Sequence, residues 1–502
     1  MKGNKNNTSK LTLSALILMI FTSVYGFNNI PRAFYLMGYS AIPWYILSAI
    51  TFFIPYAFMM AEYGAAFRKE KGGIYSWMEK SVGPKYAFIG TFMWFASYLI
   101  WMVSVSSSIW VPLSNLIFGT DKTETWSLFG LNAPRTLAIL GCIFIVLITF
   151  ISSKGLKSIA KIASIGGVFV SSANIVLIIG ALIVLVFNGF NMAQPISAAE
   201  FIHSPNPNYQ TPLGILSFLV FALFAYGGLE AVGGLVDKTE NPKVVFPRGI
   251  KIAALVIAVG YSLAILFVGF FINWKSILSS SNVNMANVSY IVIKNLGIEL
   301  GRVFNLSPDN TVILGAWFAR FIGLAMFLAL TGAFFTLIYS PLKQLIEGTP
   351  SEIWPKRWTI KDENDMPVNA MWVQCIIVVS IILISSFGGK SAGVFLDYLI
   401  LMGNVAMTIP YMFLSFGFIY FKRKKEIQKP FEIYKNPIVT NVTAIIVTFT
   451  VGFANFFTIL QPALETKDYI STLFQLIGPL FFGFVGFLLY YIYEKKYIKN
   501  NS

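Results

Sequence analysis

Charged residues are scarce in this chain of 502 residues. Only 12% of them are Asp, Glu, Lys or Arg, whereas 56% are hydrophobic, and the mean hydropathy is +0.70. Soluble domains carry about 25% charged residues, because most of their surface faces water. The composition therefore excludes a soluble globular protein and indicates one that lies in a membrane.

Histidine and cysteine are almost absent as well. The chain has one histidine, His203, in a polar stretch, and two cysteines, Cys142 and Cys375, each inside an apolar run. Isolated residues of these types exclude the usual zinc and haem sites and a disulfide framework. The complete phosphate-binding pattern Gly-x-x-x-x-Gly-Lys-Ser/Thr is missing too, and so is a pair of catalytic acids. We therefore expect no cofactor, no metal site and no enzymatic activity.

Long apolar runs, in contrast, are plentiful. About 20 apolar residues cross the hydrocarbon core of a bilayer as one helix. The runs lack the alternation of membrane strands, so they predict an all-α integral membrane fold with twelve transmembrane helices. The runs are 11–37, 42–67, 86–118, 134–152, 162–187, 212–236, 249–272, 312–346, 370–387, 392–421, 436–460 and 470–493.

Lysine and arginine are distributed unevenly among the loops between these runs. If the amino terminus is cytoplasmic, the cytoplasmic segments hold 28 of them and the opposite loops hold 7. Since cytoplasmic loops are enriched in Lys and Arg, this ratio predicts that both termini are cytoplasmic. It also accounts for the net charge of +15 without nucleic acid as a partner. The stretch KRKKEIQK (422–429) is interpreted as part of this signal, with a lipid-binding patch as the alternative.

Two of the twelve runs contain residues that break a helix at membrane depth. The first holds SVYGFNNIPRAF (23–34), in which two asparagines compete with helical hydrogen bonds and Pro31 disfavours helix at Ile30. The sixth holds FALFAYGGLEAVGG (221–234), in which two glycines precede a glutamate. Glycine costs about 1 kcal/mol in a helix, and a carboxylate at membrane depth costs roughly 2.5 kcal/mol or more. Glycines that only let helices pack closely are the alternative explanation.

The two breaks lie five spans apart, which indicates an internal repeat. They begin two five-helix units, 11–187 and 212–421, and an odd number of spans makes the second unit inverted. Interrupted helices at matching positions of inverted repeats mark transporter binding sites. Free N–H groups attract a carboxylate and free carbonyls attract an ammonium group, so a zwitterionic amino acid suits both. The other segments are 436–493, with two spans, and the cytoplasmic tails 1–10 and 494–502.

Three segments resemble those of a known superfamily in their amino-acid sequence and in their order along the chain. They are FAYGGLEAVGGLVDKTENPKVVFPRGI (224–250), EKGGIYSWMEKSVGPKYAF (70–88), and YSPLKQLIEG (339–348) followed by MPVNA (366–370). They are similar to segments of the amino acid–polyamine–organocation superfamily, in particular the glutamate/γ-aminobutyrate antiporter family and its YjeM-type transporters. The resemblance covers the whole chain. It implies a five-plus-five inverted repeat with two extra carboxyl-terminal helices, which exchanges amino acids or related amines across the cytoplasmic membrane by alternating access.

The resemblance also implies which residues bind the substrate. In the superfamily, the unwound parts of the first and sixth helices hold its amino and carboxyl groups. The corresponding residues here are Tyr25, Gly26, Phe27, Asn28, Asn29, Phe224, Ala225, Tyr226, Gly227 and Gly228. We expect the four aromatic residues among them to close over the substrate. Two features depart from the superfamily: the first break lacks a Gly-Ser-Gly run, and the fifth span lacks the lysine of some proton-coupled members.

Few charges remain inside the apolar runs, and each is a candidate for gating or coupling. Glu230 follows the second break, and it is either a gate or proton-sensitive carboxylate or an acceptor for backbone freed by the glycines. Glu62 lies near the cytoplasmic end of the second span, where snorkelling or pairing at a gate is expected. Arg32 and Arg320 are the cations available to pair with these acids.

The type of coupling stays open at the level of sequence. An exchanger swaps one amino acid or amine for another, whereas a symporter takes a proton or Na⁺ with its substrate. Asn28, Thr331, Thr336 and Ser340 carry oxygens of the kind that binds Na⁺, but such groups are also common in helix packing. The residues do not identify the side chain of the substrate, for which glutamate and γ-aminobutyrate are the family default. Membrane lipids are the other expected partner.

Overall fold

Helices account for nearly all of the regular structure. The computed structural model describes residues 10–498, and residues 1–9 and 499–502 of the two predicted tails lie outside it. The described range contains no strand, and Leu11 and Thr239 form one isolated bridge. The predicted all-α fold is confirmed. The α-helices are α1 (Leu13–Val24), α2 (Asn29–Met37), α3 (Ala41–Ser48), α4 (Ile54–Ala66), α5 (Ile74–Ser81), α6 (Pro84–Ser108), α7 (Trp110–Phe118), α8 (Ala133–Ser152), α9 (Leu156–Phe187), α10 (Ala198–Ile202), α11 (Pro212–Phe224), α12 (Val245–Phe271), α13 (Val288–Val303), α14 (Pro308–Gly348), α15 (Lys356–Thr359), α16 (Val368–Phe387), α17 (Lys390–Arg423), α18 (Pro437–Glu465) and α19 (Tyr469–Tyr493).

Short helical turns of other pitch connect several of these helices. The 3-10 turns are Gly38–Ser40, Thr123–Thr125, Pro207–Tyr209, Leu229–Leu235 and Ser351–Ile353, and the π turns are Ala49–Phe53, Trp274–Leu278 and Glu494–Ile498. The 3-10 turn at Leu229–Leu235 continues the sixth span after its break, so the two halves of that span differ in pitch.

Eleven helical segments in the described range are long and apolar enough to span a membrane. The first, Leu13–Ala66, has 54 residues. A continuous α-helix of that length would measure about 80 Å, more than twice the thickness of the hydrocarbon core. The segment turns at Gly38, where φ is 58°, and therefore contains the first two predicted spans. The described crossings then number twelve, in agreement with the sequence.

The helix α13 is not predicted from the sequence. It has 16 residues, too few to span a bilayer, and it carries Lys294 and Glu299 within its length. It packs against α9 and α14. At the contact with α14, a Cβ on Gly297 would lie 2.9 Å from the Cα of Gly315, so the two backbones approach closely. The helix therefore packs against the first part of α14 and adds no membrane crossing.

The first and sixth spans are interrupted where the sequence predicts. The first is divided between α1, which ends at Val24, and α2, which begins at Asn29. The sixth is divided between α11, which ends at Phe224, and the 3-10 turn. The expectation that Pro31 disfavours helix at Ile30 is wrong, because both residues lie in the first turn of α2. A proline there loses no hydrogen bond, since the first N–H groups of a helix have no partner within it.

One face of the bundle gathers the loops predicted to be cytoplasmic, and we call it the basic face. Its loops are 67–73, 236–244, 349–367 and 424–436. The start of the described chain lies here too, because Leu11 N donates to Lys238 O at 2.8 Å. The loops with an excess of Lys and Arg are therefore neighbours in space.

A buried ion pair joins the sixth and eighth spans at the basic face. Lys343 of α14 is fully buried; its Nζ donates to Gly234 O at 2.7 Å and forms an ion pair with Asp237. A buried lysine is costly unless it is paired and hydrogen-bonded. The pair therefore fixes the end of the 3-10 turn against α14. We call Lys343 and Asp237 the inner pair.

A second network of charges surrounds the inner pair on the surface. Lys238 is paired with Asp365, and Lys361 lies 3.0 Å from Asp365 and 2.5 Å from Glu347. Partial burial raises the pKa of Asp365, but hydrogen bonds from Lys238 and Lys361 outweigh it and lower this pKa to about 2. The carboxylate is therefore ionised at neutral pH, and the network holds the loop before α16 against the sixth span.

We expect Lys343→Met to destabilise the protein by about 3–5 kcal/mol, because it leaves the Asp237 carboxylate partly buried without its cation. Thermal unfolding of the detergent-solubilised protein measures this change. The double variant Lys343→Met/Asp237→Asn should recover much of the loss, whereas Lys390→Met, at an exposed lysine, should change little. Equal unfolding temperatures for the single variant and the unchanged protein would contradict the role of the pair.

Candidate functional site

The two helix breaks meet in the core of the bundle. Gly228, in the second break, has a φ of 109°, which favours glycine. A Cβ at this position would lie 2.5 Å from Ser23 O, at the end of α1. The backbone of the sixth span therefore passes directly beside the backbone of the first, with no room for a side chain between them.

A tyrosine of the seventh span lies between the carbonyls freed by the two breaks. The hydroxyl of Tyr261, on α12, is 2.9 Å from Val24 O and 3.3 Å from Ala225 O. The side chain of Asn29 donates from Nδ2 to this hydroxyl at 3.1 Å and to Ala225 O at 3.4 Å. Two predicted site residues, Asn29 and Ala225, are thus joined through a residue that the sequence did not indicate.

The first break also lines a small cavity of about 80 Å³. Tyr25, Gly26, Phe27 and Asn28 form one wall of it. The opposite wall comes from α9 and α14 and is apolar. Its side chains are Val170, Ala173, Ala325, Met326, Ala329 and Leu330.

Two backbone N–H groups of the first break have no acceptor among the described hydrogen bonds. In the described hydrogen bonds, neither Phe27 N nor Asn28 N donates to any acceptor, and no side chain caps α2. The N-terminus of a helix carries a partial positive charge on such groups. Both residues line the cavity, so a carboxylate there would find two unused donors.

The other predicted binding residues lie outside the lining of this cavity. The ring of Tyr226 stacks on Phe53 with centroids 4.6 Å apart, and its hydroxyl donates to Tyr45 O at 3.3 Å. Its ring therefore packs among α3, the following π turn and α12. The predicted residues that do not line the cavity are Asn29, Phe224, Ala225, Tyr226, Gly227 and Gly228.

Glu230 is fully buried beside the second break and has no cationic partner in the described part of the chain. Its Oε1 accepts hydrogen bonds from Trp94 Nε1 and Tyr98 OH, both at 3.0 Å. Its Oε2 has no hydrogen bond of normal geometry, although the carboxyl interacts with Tyr411 of α17. The side chain thus links the sixth span to α6 and faces α17.

The backbone freed by the two glycines is satisfied by other groups. Gly227 N donates to Phe224 O at 3.0 Å, and Gly228 N donates to Tyr411 OH at 3.0 Å. Glu230 is therefore not the acceptor for either N–H group. The contacts therefore do not support the role of acceptor for the backbone freed by the glycines, and the other role considered, a gate or proton-sensitive carboxylate, stays a prediction.

The aromatic residues that contact the breaks were not predicted from the sequence. They lie in apolar runs that hold many other aromatic residues, and they are Trp94, Tyr98, Tyr261 and Tyr411. One signal was present, because Trp94 and Tyr98 are four residues apart and therefore share a face of α6. No comparable spacing marks Tyr261 or Tyr411, which reach the breaks from distant parts of the chain.

Glu62 is paired at the basic face. It is fully buried, its Oε2 lies 2.9 Å from Lys422 Nζ, and its Oε1 accepts from Ile433 N at 2.6 Å and Tyr434 N at 2.7 Å. These bonds hold the loop 424–436 against α4. Of the two expected roles, the contacts support pairing, because the carboxylate is buried beside a lysine and does not extend into solvent as snorkelling requires.

Arg32 helps to close the opposite face. Its Nε donates to Met285 O at 2.8 Å, and Tyr35 OH donates to Val283 O at 3.0 Å, so the loop before α13 is held on α2. The expected pairing of Arg32 or Arg320 with an intramembrane acid is not found among the described salt bridges. Arg320 lies instead over the ring of Trp317, 5.5 Å from its centroid.

The oxygens considered for Na⁺ are dispersed. Thr331 and Thr336 donate to carbonyls four residues earlier in α14, at 2.7 and 3.3 Å, and Ser340 donates to Ala231 O. Of these candidates, Asn28 alone lines the cavity. In residues 10–498, no group of three or more His, Cys, Asp or Glu side chains is arranged to hold a metal ion.

Comparison with known proteins agrees with this architecture. A family model described as "Amino acid permease" matches residues 11–482. The chain is 52% identical over 491 residues to the inner membrane transporter YjeM of Escherichia coli (strain K12), and the match covers 98% of each chain. It is 25% identical over 440 residues to the aspartate/glutamate permease AcaP of Lactococcus lactis subsp. cremoris, covering 86% of this chain and 83% of that protein. It is 21% identical over 456 residues to the glutamate/gamma-aminobutyrate antiporter of Lactococcus lactis subsp. lactis, covering 89% and 83%. The superfamily resemblance drawn from the sequence is confirmed.

We expect Gly228→Ala to reduce amino acid uptake by roughly tenfold or more, since a side chain at positive φ costs about 1–2 kcal/mol before any clash is counted. The added methyl group would also meet Ser23 O and push the two breaks apart. Uptake by cells with equal amounts of membrane-inserted protein measures the effect. Gly393→Ala, where a Cβ has no neighbour within 4 Å, is the matched control. Normal uptake by Gly228→Ala would show that the contact between the breaks is dispensable.

Proposed function

Because the chain belongs to the amino acid permease family, we propose that it is a secondary active transporter of amino acids or related amines that works as an exchanger by alternating access. The observation that carries the proposal is the contact between two broken helices beside a small cavity. Unpaired backbone groups at membrane depth are tolerated where protein or an aqueous cavity surrounds them. The first break supplies two N–H groups without an acceptor, and the carbonyls Val24 O and Ala225 O, which now accept from the Tyr261 hydroxyl, are the proposed partners for a positive charge.

Each end of the substrate has a proposed partner. The carboxylate binds the N–H groups of Phe27 and Asn28, which have no other acceptor in the described hydrogen bonds. The ammonium group binds the carbonyls Val24 O and Ala225 O after the Tyr261 hydroxyl turns away from one of them. The cavity of about 80 Å³ is small, so the walls formed by α9 and α14 have to move for substrate to enter.

The proposed architecture has two five-helix units of opposite orientation, 11–187 and 212–421, followed by two helices in 436–493. Its support is the position of the breaks at the start of each unit. We assign the basic face to the cytoplasm and both termini with it, because Lys and Arg are concentrated there. The relatives named as inner membrane transporters favour the same membrane for this chain.

Glu230 is the proposed gate residue. A carboxyl that is fully buried without a cation changes its hydrogen bonds when it gains a proton. Here Oε2 has no normal hydrogen bond, so a proton on it turns this oxygen into a donor toward Tyr411, while Oε1 keeps its bonds from Trp94 and Tyr98. Because the Tyr411 hydroxyl also accepts from Gly228 N, the proton would change the contact between the second break and α17. Glu62 and Arg32 are proposed to hold the two faces closed between substrate movements.

The first experiment is counterflow with purified protein in proteoliposomes. The liposomes are loaded in turn with each common amino acid and amine, at acidic and at neutral pH, and labelled glutamate, aspartate or γ-aminobutyrate is added outside. These probes follow from the substrates named for the relatives in Lactococcus lactis. We expect the label to accumulate against at least one internal compound, because an exchanger needs a substrate on each side. Protein-free liposomes are the control.

A proton- or Na⁺-coupled symporter is the alternative function. It predicts uptake into empty liposomes that an imposed ion gradient drives and that internal amino acids do not stimulate. This outcome would overturn the exchanger and keep the transporter. The absence of transport under both conditions would overturn the proposed substrate class.

We expect Glu230→Gln to impair transport while leaving expression intact, because the amide keeps the shape but can neither ionise nor accept at both atoms. Its carbonyl oxygen can keep the bonds from Trp94 and Tyr98, so the substitution tests the ionisable second oxygen rather than these contacts. Counterflow at acidic and neutral pH measures the effect, and the variant should lose most of any pH dependence. Glu124→Gln, at an exposed glutamate in a loop, is the matched control. Unchanged kinetics in Glu230→Gln would exclude its role as a gate.

A further inference from the structure

An apolar groove runs along the outside of the bundle between α17 and α18. Its volume is about 540 Å³. The walls are formed mainly by Met412, Phe416, Phe449, Gly452, Phe453 and Phe456. The groove lies far in sequence from both helix breaks and takes no part in the proposed substrate site.

The groove is suited to hydrocarbon. The side chains of Phe449 and Phe456 are 71% and 62% exposed in the isolated chain, on a helix that is long and apolar enough to span the membrane. At Gly452 the missing side chain opens the groove, since a Cβ there would lie 3.0 Å from Met412 Cε. The hydroxyl of Thr448, which also lines the groove, is satisfied by Ala444 O at 2.8 Å. No polar group in the lining is left to bind a polar ligand.

The same face of α17 leads from the groove to a basic helix end. Phe416, Tyr420 and Arg423 follow one another at spacings of four and three residues, so they lie on one face of the helix. The rings of Phe416 and Tyr420 are in contact, with centroids 5.6 Å apart. Arg423 lies about 10 Å beyond Phe416 along the helix axis.

Two cations at this helix end are available for a ligand. Lys422 is held by two glutamates, and Lys424 donates to a backbone carbonyl at 2.8 Å. Arg423 and Lys425 are exposed and form no hydrogen bond or ion pair among the described residues. The basic stretch 422–429 therefore combines structural cations with two that have no protein partner.

We infer that the groove binds one anionic phospholipid, whose acyl chain lies between α17 and α18 and whose phosphate lies between Arg423 and Lys425. A lipid is the one common ligand that presents hydrocarbon and a negative charge at this separation within a membrane. The acyl chain is already in hydrocarbon, so its gain on entering the groove comes from van der Waals contacts with the side chains that line it. Each Lys or Arg near the surface adds attraction for an anionic headgroup but not for a zwitterionic one.

The position of the lipid gives it a route to the transport site. Met412 in the groove follows Tyr411, whose hydroxyl accepts from Gly228 N in the second break. An acyl chain that packs on Met412 therefore contacts α17, the helix whose Tyr411 is hydrogen-bonded to the second break. This consequence for transport rests on the proposed function, whereas the binding of lipid does not.

Native mass spectrometry of the purified full chain tests the binding. The protein in detergent is mixed with phosphatidylglycerol and phosphatidylcholine in equal amounts, and the lipids that it retains are counted. We expect one phosphatidylglycerol to be retained selectively. Arg423→Gln/Lys425→Gln should weaken retention about 25-fold, since each cation near the surface contributes about fivefold. Lys157→Gln/Lys161→Gln removes two exposed cations elsewhere and should leave retention unchanged.

A variant that fills the groove tests the acyl chain separately. Gly452→Leu should release the lipid while both cations remain, and Gly393→Leu, at an open position on α17, is its matched control. Equal retention of the two lipids, or no effect of Arg423→Gln/Lys425→Gln, would overturn the proposal. A dimer that Gly452→Leu dissociates without loss of phosphatidylglycerol would assign the groove to a second copy of the chain instead. If the variants lose the selective lipid but transport is unchanged, the lipid site is confirmed and its proposed effect on transport is wrong.

Discussion

The constraint on which the structure depends is that backbone N–H and C=O groups in a membrane need partners inside the protein. Two spans give up their helical bonds at the centre, and other residues replace those bonds. The hydroxyl of Tyr261 serves the carbonyls at both breaks, and the hydroxyl of Tyr411 accepts from Gly228 N. The two N–H groups of Phe27 and Asn28 are left without such a replacement in the described hydrogen bonds. At the proposed substrate site, these two N–H groups therefore remain without an acceptor in the described hydrogen bonds.

Buried charges are treated in two ways, and the difference separates structural groups from the proposed gate. Lys343 and Glu62 are fully buried, and each has a partner of opposite charge and a backbone bond. Glu230 is equally buried but meets only neutral donors, and one of its oxygens has no normal hydrogen bond. An opposite charge stabilises the ionised form of a buried group, so such a group keeps its charge. A buried carboxyl without a cation lacks this stabilisation, so its protonation state depends on its surroundings. The helix break at Gly228 lies two residues away, so the environment of this carboxyl changes whenever the break moves.

Local features were predictable from the sequence, and contacts between distant segments were not. Hydropathy predicted the spans, and the residues around Gly26 and Gly228 predicted the breaks, because these properties are set by neighbours in the chain. The contribution of Tyr261 depends on how α12 packs against both breaks, which no local pattern encodes. The helix state of Ile30 was mistaken because the start of α2 placed Pro31 in a first turn. The helix α13 was missed because it is too short and too charged to resemble a span.

The two faces of the bundle are held together by contacts of different kinds. At the basic face, the inner pair and the network around Asp365 join full charges of opposite sign. At the opposite face, Arg32 and Tyr35 donate to backbone carbonyls, which are neutral acceptors. A hydrogen bond between neutral groups contributes about 1 kcal/mol and one with a charged partner about 1.5–3 kcal/mol, whereas a buried ion pair that loses one partner costs about 3–5 kcal/mol as long as the other charge stays buried. In the proposed transport cycle, opening of the basic face therefore requires the buried Lys343 to exchange its carboxylate for water, whereas opening of the other face exchanges only neutral acceptors for water.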